Sequence, residues 1–491
     1  MTAAEAWLGI DLGTQSVRAL LVGPDGEVLG TGSCRLTRDR RTGRRHEQEP
    51  AEWWSATCAA TRAALEAAGC PAVDAVSIDS TSGTLVVQSA DGIATGPALM
   101  YDDGRAAAEA ASCRTAGGEL WDRLGYRMQD SWALPKLVWL TRQGDLSAGL
   151  RVAHQADHVA ARLTGGPVAS DLSHVLKTGY DLIDLRWPAE VLDALGVDAE
   201  VLPDVVPAGT QVATVSARGA EASGIPAGTP VRAGMTDGCA GQVAAAALEP
   251  GAWCSSLGTT LVLKGSTPEL LRDPHGAVYC HRNPDGGWLP GGASSTGAGV
   301  LPHEFPEADL DALTEQASRL PVPGAVTYPL NGTGERFPFA ATDAHAFGLE
   351  PAAHGSQAER FSAALHGIAY VERLSFDVLA GLGADTTGQV AFAGGAVRNR
   401  WWNQLRTDVL QRPVIVPEQV EAAVGSAVVA AAPPGRLGET ARRMVRTRER
   451  LEPDHARGER LLEGYSRLVT ALVERGWLDD AAVELPTGAD A

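Results

Sequence analysis

The chain has 491 residues, 44% hydrophobic and 21% charged, which is enough to bury the cores of two or three ordinary globular domains. Its 60 acidic residues outweigh 41 basic ones for a net charge of −19, arguing against general binding to nucleic acid or to an anionic membrane. Seven scattered cysteines with no C-x-x-C pair imply neither a disulfide framework nor a structural zinc site; with no secretory signal or membrane-length apolar run, they predict a soluble cytoplasmic protein.

In chain order, the first element is a strand-turn-strand. The run Trp7-Leu8-Gly9-Ile10 delivers one carboxylate, Asp11, to a turn made of Gly13, Thr14, Gln15 and Ser16. Glycine lets backbone approach a bulky anion, and successive N–H groups and small hydroxyls can cradle phosphate oxygens. A carboxylate beside a phosphate needs a divalent cation between them, so Asp11 suggests Mg²⁺; an ordinary hairpin with a solvated Asp is the alternative. A hairpin follows around Pro24-Asp25-Gly26. Arg35, Arg38, Arg40, Arg41, Arg44 and Arg45 crowd a stretch read as a solvated loop, with attraction of an anionic ligand as the sharper reading. Helical periodicity covers Trp53 to Ala68 and stops at Gly69, and Thr84–Gln88 meets Ile93 across another Asp-Gly turn. Strands alternating with helices place this half in the α/β class.

Further on, Gly224 to Pro230 leads into the strand Val231-Arg232-Ala233-Gly234 and then Asp237, bracketed by glycines. A hinge is expected around Gly241 to Pro250, dividing the chain into an N-terminal domain, 1–245, and a C-terminal domain, 246–480. The second half repeats the theme. Strands are expected near Trp253 and Trp288, with a second turn, Leu257-Gly258-Thr259-Thr260, between apolar runs. Helices are expected at Gln357–Leu379, Trp401–Leu410 and Glu421–Ala431, with an amphipathic one over Gly458–Arg475 and fraying beyond Asp480. A Gly394-Gly395 turn joins a strand to a helix. Two phosphate-type turns, one per half, are expected if a nucleotide lies in a cleft between two related domains.

With four phosphate- or nucleotide-compatible turns in this order, at Gly13–Ser16, Asp237-Gly238, Gly258–Thr260 and Gly394-Gly395, the chain resembles the FGGY carbohydrate kinases of the actin and Hsp70-like ATPase superfamily. The resemblance covers nearly the whole length and includes Trp132-Ala133-Leu134-Pro135-Lys136-Leu137-Val138-Trp139-Leu140, His46 to Trp54 and Met100 to Arg105, although Ala133 stands where the family signature has Pro, Ser or Thr. It implies an α/β fold of two actin/Hsp70-like (ribonuclease H-like) domains with an ATP cleft between them. It implies that Asp237, otherwise readable as a turn or hinge Asp, is the catalytic base, and that Asp11 holds Mg²⁺ through water. Gly13, Thr14 and Arg18 would approach the transferred phosphate. Gly258 and Thr259 match the second phosphate turn, while Gly395, Ala396 and Asn399 match the adenine and α-phosphate region. Gly291 to Ser294 would line the nucleotide side as a Gly/Ser loop.

The sugar region departs from two branches of that family. Glycerol kinases carry an Arg-Glu pair, and xylulokinases a Met-His pair, where this chain has Ser82-Gly83. The string Ile78-Asp79-Ser80-Thr81-Ser82-Gly83-Thr84 instead is similar to the D-ribulokinase branch, as are Ser170–Tyr180 and Tyr328–Pro338. The resemblance implies ATP-dependent phosphorylation of D-ribulose, with D-xylulose or another ketose or polyol as alternatives, and assigns Ser82, Asp103, Asp11 and Asp237 to the substrate. A non-enzymatic ATP switch of the actin or Hsp70 type would share the phosphate turns without needing the surroundings of Asp237 or an Asp79–Ser82 pocket. The expected partners are a small-molecule sugar, ATP and Mg²⁺, with no nucleic acid or membrane; oligomeric state is left open, a homodimer among the options.

Overall fold

The structure, a computed structural model, describes residues 5–146 and 148–479. The fraying expected beyond Asp480 lies outside the described residues. Two compact units emerge, the first made of Met1–Leu248, His281–Leu289 and Gln419–Arg446, the second of Glu249–Cys280, Pro290–Glu418 and Thr447–Ala491.

In unit 1 the apolar run Trp7–Leu12 becomes a central strand. It pairs antiparallel with Ser16–Val22 on one side and parallel with Ala75–Ser80 on the other, within a six-stranded sheet ordered Gln211–Thr214, Pro230–Arg232, Ala75–Ser80, Trp7–Leu12, Ser16–Val22, Val28–Arg35. Because side chains alternate along a strand, the sheet is apolar on both faces. Leu8, Ile10 and Leu21 join Trp53, Ala60 and Val159 in one buried cluster, whereas Trp7, Leu20 and Val22 join Val243, Val424 and Val428 in another. The helix Pro50–Ala67 has a proline in its first turn and ends where Gly69 takes a φ of 75°.

The helix Ala422–Ala431 belongs to unit 1, so the contiguous division at 245/246 does not describe the compact units. The reason is packing. This helix is apolar nearly all round, and it lies so close to the first strand that a Cβ on Gly9 would stand 1.8 Å from the Ala423 carbonyl oxygen. Buried valines such as Val424, Val428 and Val429 each contribute roughly 1.5–3 kcal/mol to that docking. The first boundary between the units falls within the expected stretch Gly241 to Pro250, but the start of that stretch is helical. Gly241 sits inside the helix Asp237–Ala244, whose Cys239 and Val243 are buried, and the units part after Leu248.

Unit 2 repeats the scheme with different residues. Its strand Trp253–Leu257 pairs antiparallel with Leu261–Gly265 and parallel with Val390–Ala393, which continues to Val414–Pro417 and Thr447–Leu451. The helix Gln357–Gly381 carries Glu372 into its core, where Arg406 meets it at 2.7 and 2.8 Å and Ser255 donates a further hydrogen bond. The arginine stretch is a hairpin rather than a solvated loop: Asp39–Thr42 pairs antiparallel with Arg45–Gln48, and Arg41 meets Asp102 at 2.9 Å. Among the described residues no helix is long and apolar enough to cross a membrane.

Candidate active site

Strand register builds the charged centre of unit 1. Asp11 stands level with Asp79 on its parallel neighbour and with Arg18 on its antiparallel one. The following turn is closed by the Gly13 N–H donating to the Ser16 carbonyl at 3.1 Å. Gln48 Nε2 donates to the Thr14 carbonyl at 2.8 Å, and Trp53 Nε1 donates to Gln48 Oε1 at 2.8 Å, which ties the turn to the core.

Asp79 is fully buried, and Ser426 donates to its Oδ2 at 2.6 Å. Burial and then the nearby Asp11 push its carboxyl well above the usual carboxylate range. Burial and then the charge of Asp237 lift Asp11 from 3.8 to about 6, against the opposing pull of a hydrogen bond from Asp79 and the charge of Arg18. Like charges gathered in a low-dielectric site resist ionisation, and a cation would relieve that resistance. Among the described residues no group of three or more His, Cys, Asp or Glu side chains is placed to hold a metal ion directly.

Asp237 opens the helix Asp237–Ala244 and is exposed, with the Gly238 N–H donating to its Oδ1 at 2.6 Å. A carboxylate at a helix N-terminus is favoured by the backbone dipoles. Its strand runs beside Ala75–Ser80, and a parallel bridge pairs Thr236 with Ser80.

Ser82 lies in the loop after that strand. Lys136, fully buried, donates from Nζ to the Gly83 carbonyl at 2.9 Å and the Met100 carbonyl at 2.5 Å, while Lys177 donates to the Ser82 carbonyl at 3.2 Å. Burial depresses the Lys136 ammonium to about 7. Gly83 takes a φ of 98°, and a Cβ there would press on Lys177 at 3.2 Å. Ser82 Oγ is buried without a hydrogen-bond partner among the described residues, as are Gln155 Nε2 and Thr236 Oγ1. The Gln155 amide is oriented, because its Oε1 accepts from the Thr81 N–H at 3.3 Å and the Thr81 hydroxyl at 2.7 Å. Each buried unmet polar group costs about 1–3 kcal/mol.

Asp103 is placed differently from the expectation that it holds substrate. Its fully buried carboxylate accepts from Arg105 Nε at 2.9 Å, from Arg105 Nη2 at 2.7 Å and from the His46 N–H at 2.7 Å. Although burial opposes it, those bonds to Arg105 hold the carboxyl below its ordinary range. Both oxygens are engaged within the protein.

In unit 2 the Gly258 N–H donates to the Thr260 carbonyl at 3.0 Å, and the Thr259 carbonyl accepts from the Gly299 N–H at 3.1 Å. Gly394 has a φ of 81° and lies where a Cβ would stand 2.5 Å from the Leu257 carbonyl oxygen; Gly395 has open space around it. Ala396 follows in a short helical turn. Asn399 caps the helix Arg400–Leu410 by accepting from the Trp402 N–H at 3.0 Å, and its Nδ2 donates to Thr314 at 2.9 Å, so both ends of its amide are engaged. Gly291 and Gly292 do not form a loop. They lie buried in the strand Trp288–Ala293, where side chains would strike Leu263 and Phe337.

Sequence reasoning gave no role to Asp171, Ser173, His174, Gln155 or Lys136, although Lys136 lies in the Trp132–Leu140 motif and the first three in the Ser170–Tyr180 segment. Their signal is a polar or charged residue inside an otherwise buried segment, which only the fold makes visible.

Two α/β units built on one sheet scheme, each with a glycine-bearing turn after its first strand, define the class of two-domain actin/Hsp70-like proteins. Family models for the N-terminal domain and the C-terminal domain of the FGGY family of carbohydrate kinases match residues 6–244 and 254–433, and the chain belongs to that family. It is 31% identical over 451 residues to a xylulose kinase of Streptomyces coelicolor, covering 88% of this chain and 89% of that protein. It is 28% identical over 421 residues to a xylulose kinase of Escherichia coli, covering 82% and 84% respectively. The crystal structure of a xylulose kinase from Brucella ovis superposes with a TM-score of 0.85 at 25% identity, over 96% of this chain and all of that one.

Proposed function

We propose that this carbohydrate kinase transfers the γ-phosphoryl group of ATP to the terminal hydroxyl of a ketopentose, D-ribulose, giving D-ribulose 5-phosphate and ADP. The observation that carries the sugar assignment is Ser82. Its buried hydroxyl has no partner among the described residues and stands where xylulokinases carry the first residue of a Met-His pair. A small hydroxyl, in a loop whose preceding Thr81 holds the Gln155 amide, suits a polyhydroxylated chain, and a site built to hydrogen-bond one hydroxyl pattern discriminates against others.

In this reading Asp237 takes the proton of the terminal hydroxyl as its oxygen attacks phosphorus, and the bond to ADP breaks. Phosphoryl transfer depends chiefly on positioning and charge neutralisation. Gly13, Thr14 and Arg18 are assigned to the transferred phosphate, Gly258 and Thr259 to the nucleotide phosphates, and Gly395 and Ala396 to the adenine side, with Asn399 supporting that turn as a helix cap. Bound Mg²⁺ would supply charge neutralisation at the phosphates, with Asp11 orienting its water shell. Asp103 supports Arg105 and is not assigned to the sugar.

D-xylulose is the second reading, favoured by the names of the relatives reported above. A kinetic panel of D-ribulose, L-ribulose, D-xylulose, ribitol, sedoheptulose and glycerol separates the two. The highest kcat/KM on D-ribulose supports the first; a clear preference for D-xylulose overturns it in favour of the second.

A further inference from the structure

We propose that Ser173 and His174 are positioning residues that couple the sugar loop to the catalytic base through a buried chain of hydrogen bonds running from Ser80 to Thr236. The inference rests on the reading of Asp237 as the base. Ser80 lies two residues before Ser82, and Thr236 immediately precedes Asp237. Ser80 Oγ meets His174 Nε2 at 2.9 Å, and His174 Nδ1 meets Asp171 Oδ2. Asp171 Oδ1 accepts from the Ser173 hydroxyl at 2.5 Å, and Ser173 Oγ accepts from the Thr236 N–H at 2.8 Å.

No member of this chain is more than 2% exposed. The chain is also pinned from outside itself. Ser80 Oγ accepts from the Ala156 N–H at 3.0 Å, and Asp171 Oδ1 accepts from the backbone N–H groups of Ser173 at 2.7 Å and His174 at 3.2 Å. A satisfied buried network behaves as a unit, because moving one group strands its neighbours in a low-dielectric interior. The parallel bridge between Ser80 and Thr236 sets the two ends level, so a shift at either reaches the other through both backbone and side chains. Placement of the sugar loop and placement of the base are one structural event, and Ser173 is the link that holds the backbone of Thr236, the residue before the base.

The test compares Ser173→Ala, Ser173→Thr, Ser80→Ala and the Ser80→Ala/Ser173→Ala double variant in the full chain. Turnover of the preferred sugar and amide hydrogen exchange are both measured. Ser173→Ala should lower kcat by about tenfold or more while the KM for ATP stays within about twofold, and Ser173→Thr, which keeps the hydroxyl, should recover most of the loss. The double variant should lose little more than the worse single one, as members of one unit do. Exchange in Ser173→Ala should quicken at both 79–84 and 234–242. Losses that multiply, or exchange that quickens only around 170–178, would overturn the coupling. If the wild type phosphorylates no sugar, the kinase reading fails, and the coupling is then decided by the exchange pattern, which needs no turnover.

Discussion

Asp11→Asn should make the metal-free protein more stable while damaging its catalysis. The Asp11 carboxyl is lifted from 3.8 to about 6, chiefly by burial and then by Asp237. An acid whose folded value is raised binds more protons folded than unfolded. Its contribution to stability is therefore fully present below pH 3.8, falls as pH rises through about 6, and stays lost above it. A displacement of that size costs about 3 kcal/mol at pH 8 and about 1 kcal/mol at pH 4.5. Asparagine has a similar shape and carries no charge, so it avoids that cost. In chelator-treated samples, thermal unfolding should show the variant melting about 5–10 °C above wild type at pH 8, with the gap shrinking by more than half at pH 4.5. Equal shifts at the two pH values, or a less stable variant at pH 8, would refute the argument that Asp11 sits in an electrostatically hostile site. Turnover with Mg²⁺ should move the other way, because the carboxylate assigned to the hydrated ion is gone.

Three further outcomes follow from the geometry. Asp237→Asn keeps an oxygen to accept from the Gly238 N–H but cannot take a proton, so kcat should fall by roughly 10²–10⁴-fold with ATP affinity by calorimetry nearly unchanged; near-normal turnover would remove Asp237 from the base role. Ser82→Ala deletes a hydroxyl with no hydrogen-bond partner among the described residues, so melting temperature should hold while the KM for sugar rises; an unchanged KM would take Ser82 out of the sugar site. Gly83→Ala forces a side chain into a φ of 98° against Lys177, at about 1–3 kcal/mol; it should raise the sugar KM and lower melting temperature, and a variant indistinguishable from wild type in both would show that the loop's shape is not enforced.

Local patterns in the sequence carried the strands, the principal helices and both glycine-bearing turns after the first strands, because alternation, helical period and glycine placement act over a few residues. Helix Pro50–Ala67 and hairpin Trp7–Val22 are of this kind. The return of Ala422–Ala431 to unit 1 was not legible, since it depends on Gly9 and Gly425 allowing backbone contact across more than 400 residues of chain in the first case. Asp103 and Asn399 were assigned to ligands on family position, and in the structure their hydrogen-bonding capacity is engaged by Arg105 and by a helix cap. The chain linking Ser80, His174, Asp171, Ser173 and Thr236 joins segments more than 60 residues apart, and hydrogen bonds at that separation leave no periodic trace.

The most direct test of the central claim is ADP release from ATP and Mg²⁺ by the wild-type chain, with and without D-ribulose, followed by phosphorus NMR of the product. The account predicts ADP release that depends on the sugar, with one phosphate appearing on the terminal hydroxyl for each ADP formed. ATP turnover at the same rate without any sugar, and no phosphorylated sugar in the mixture, would contradict it.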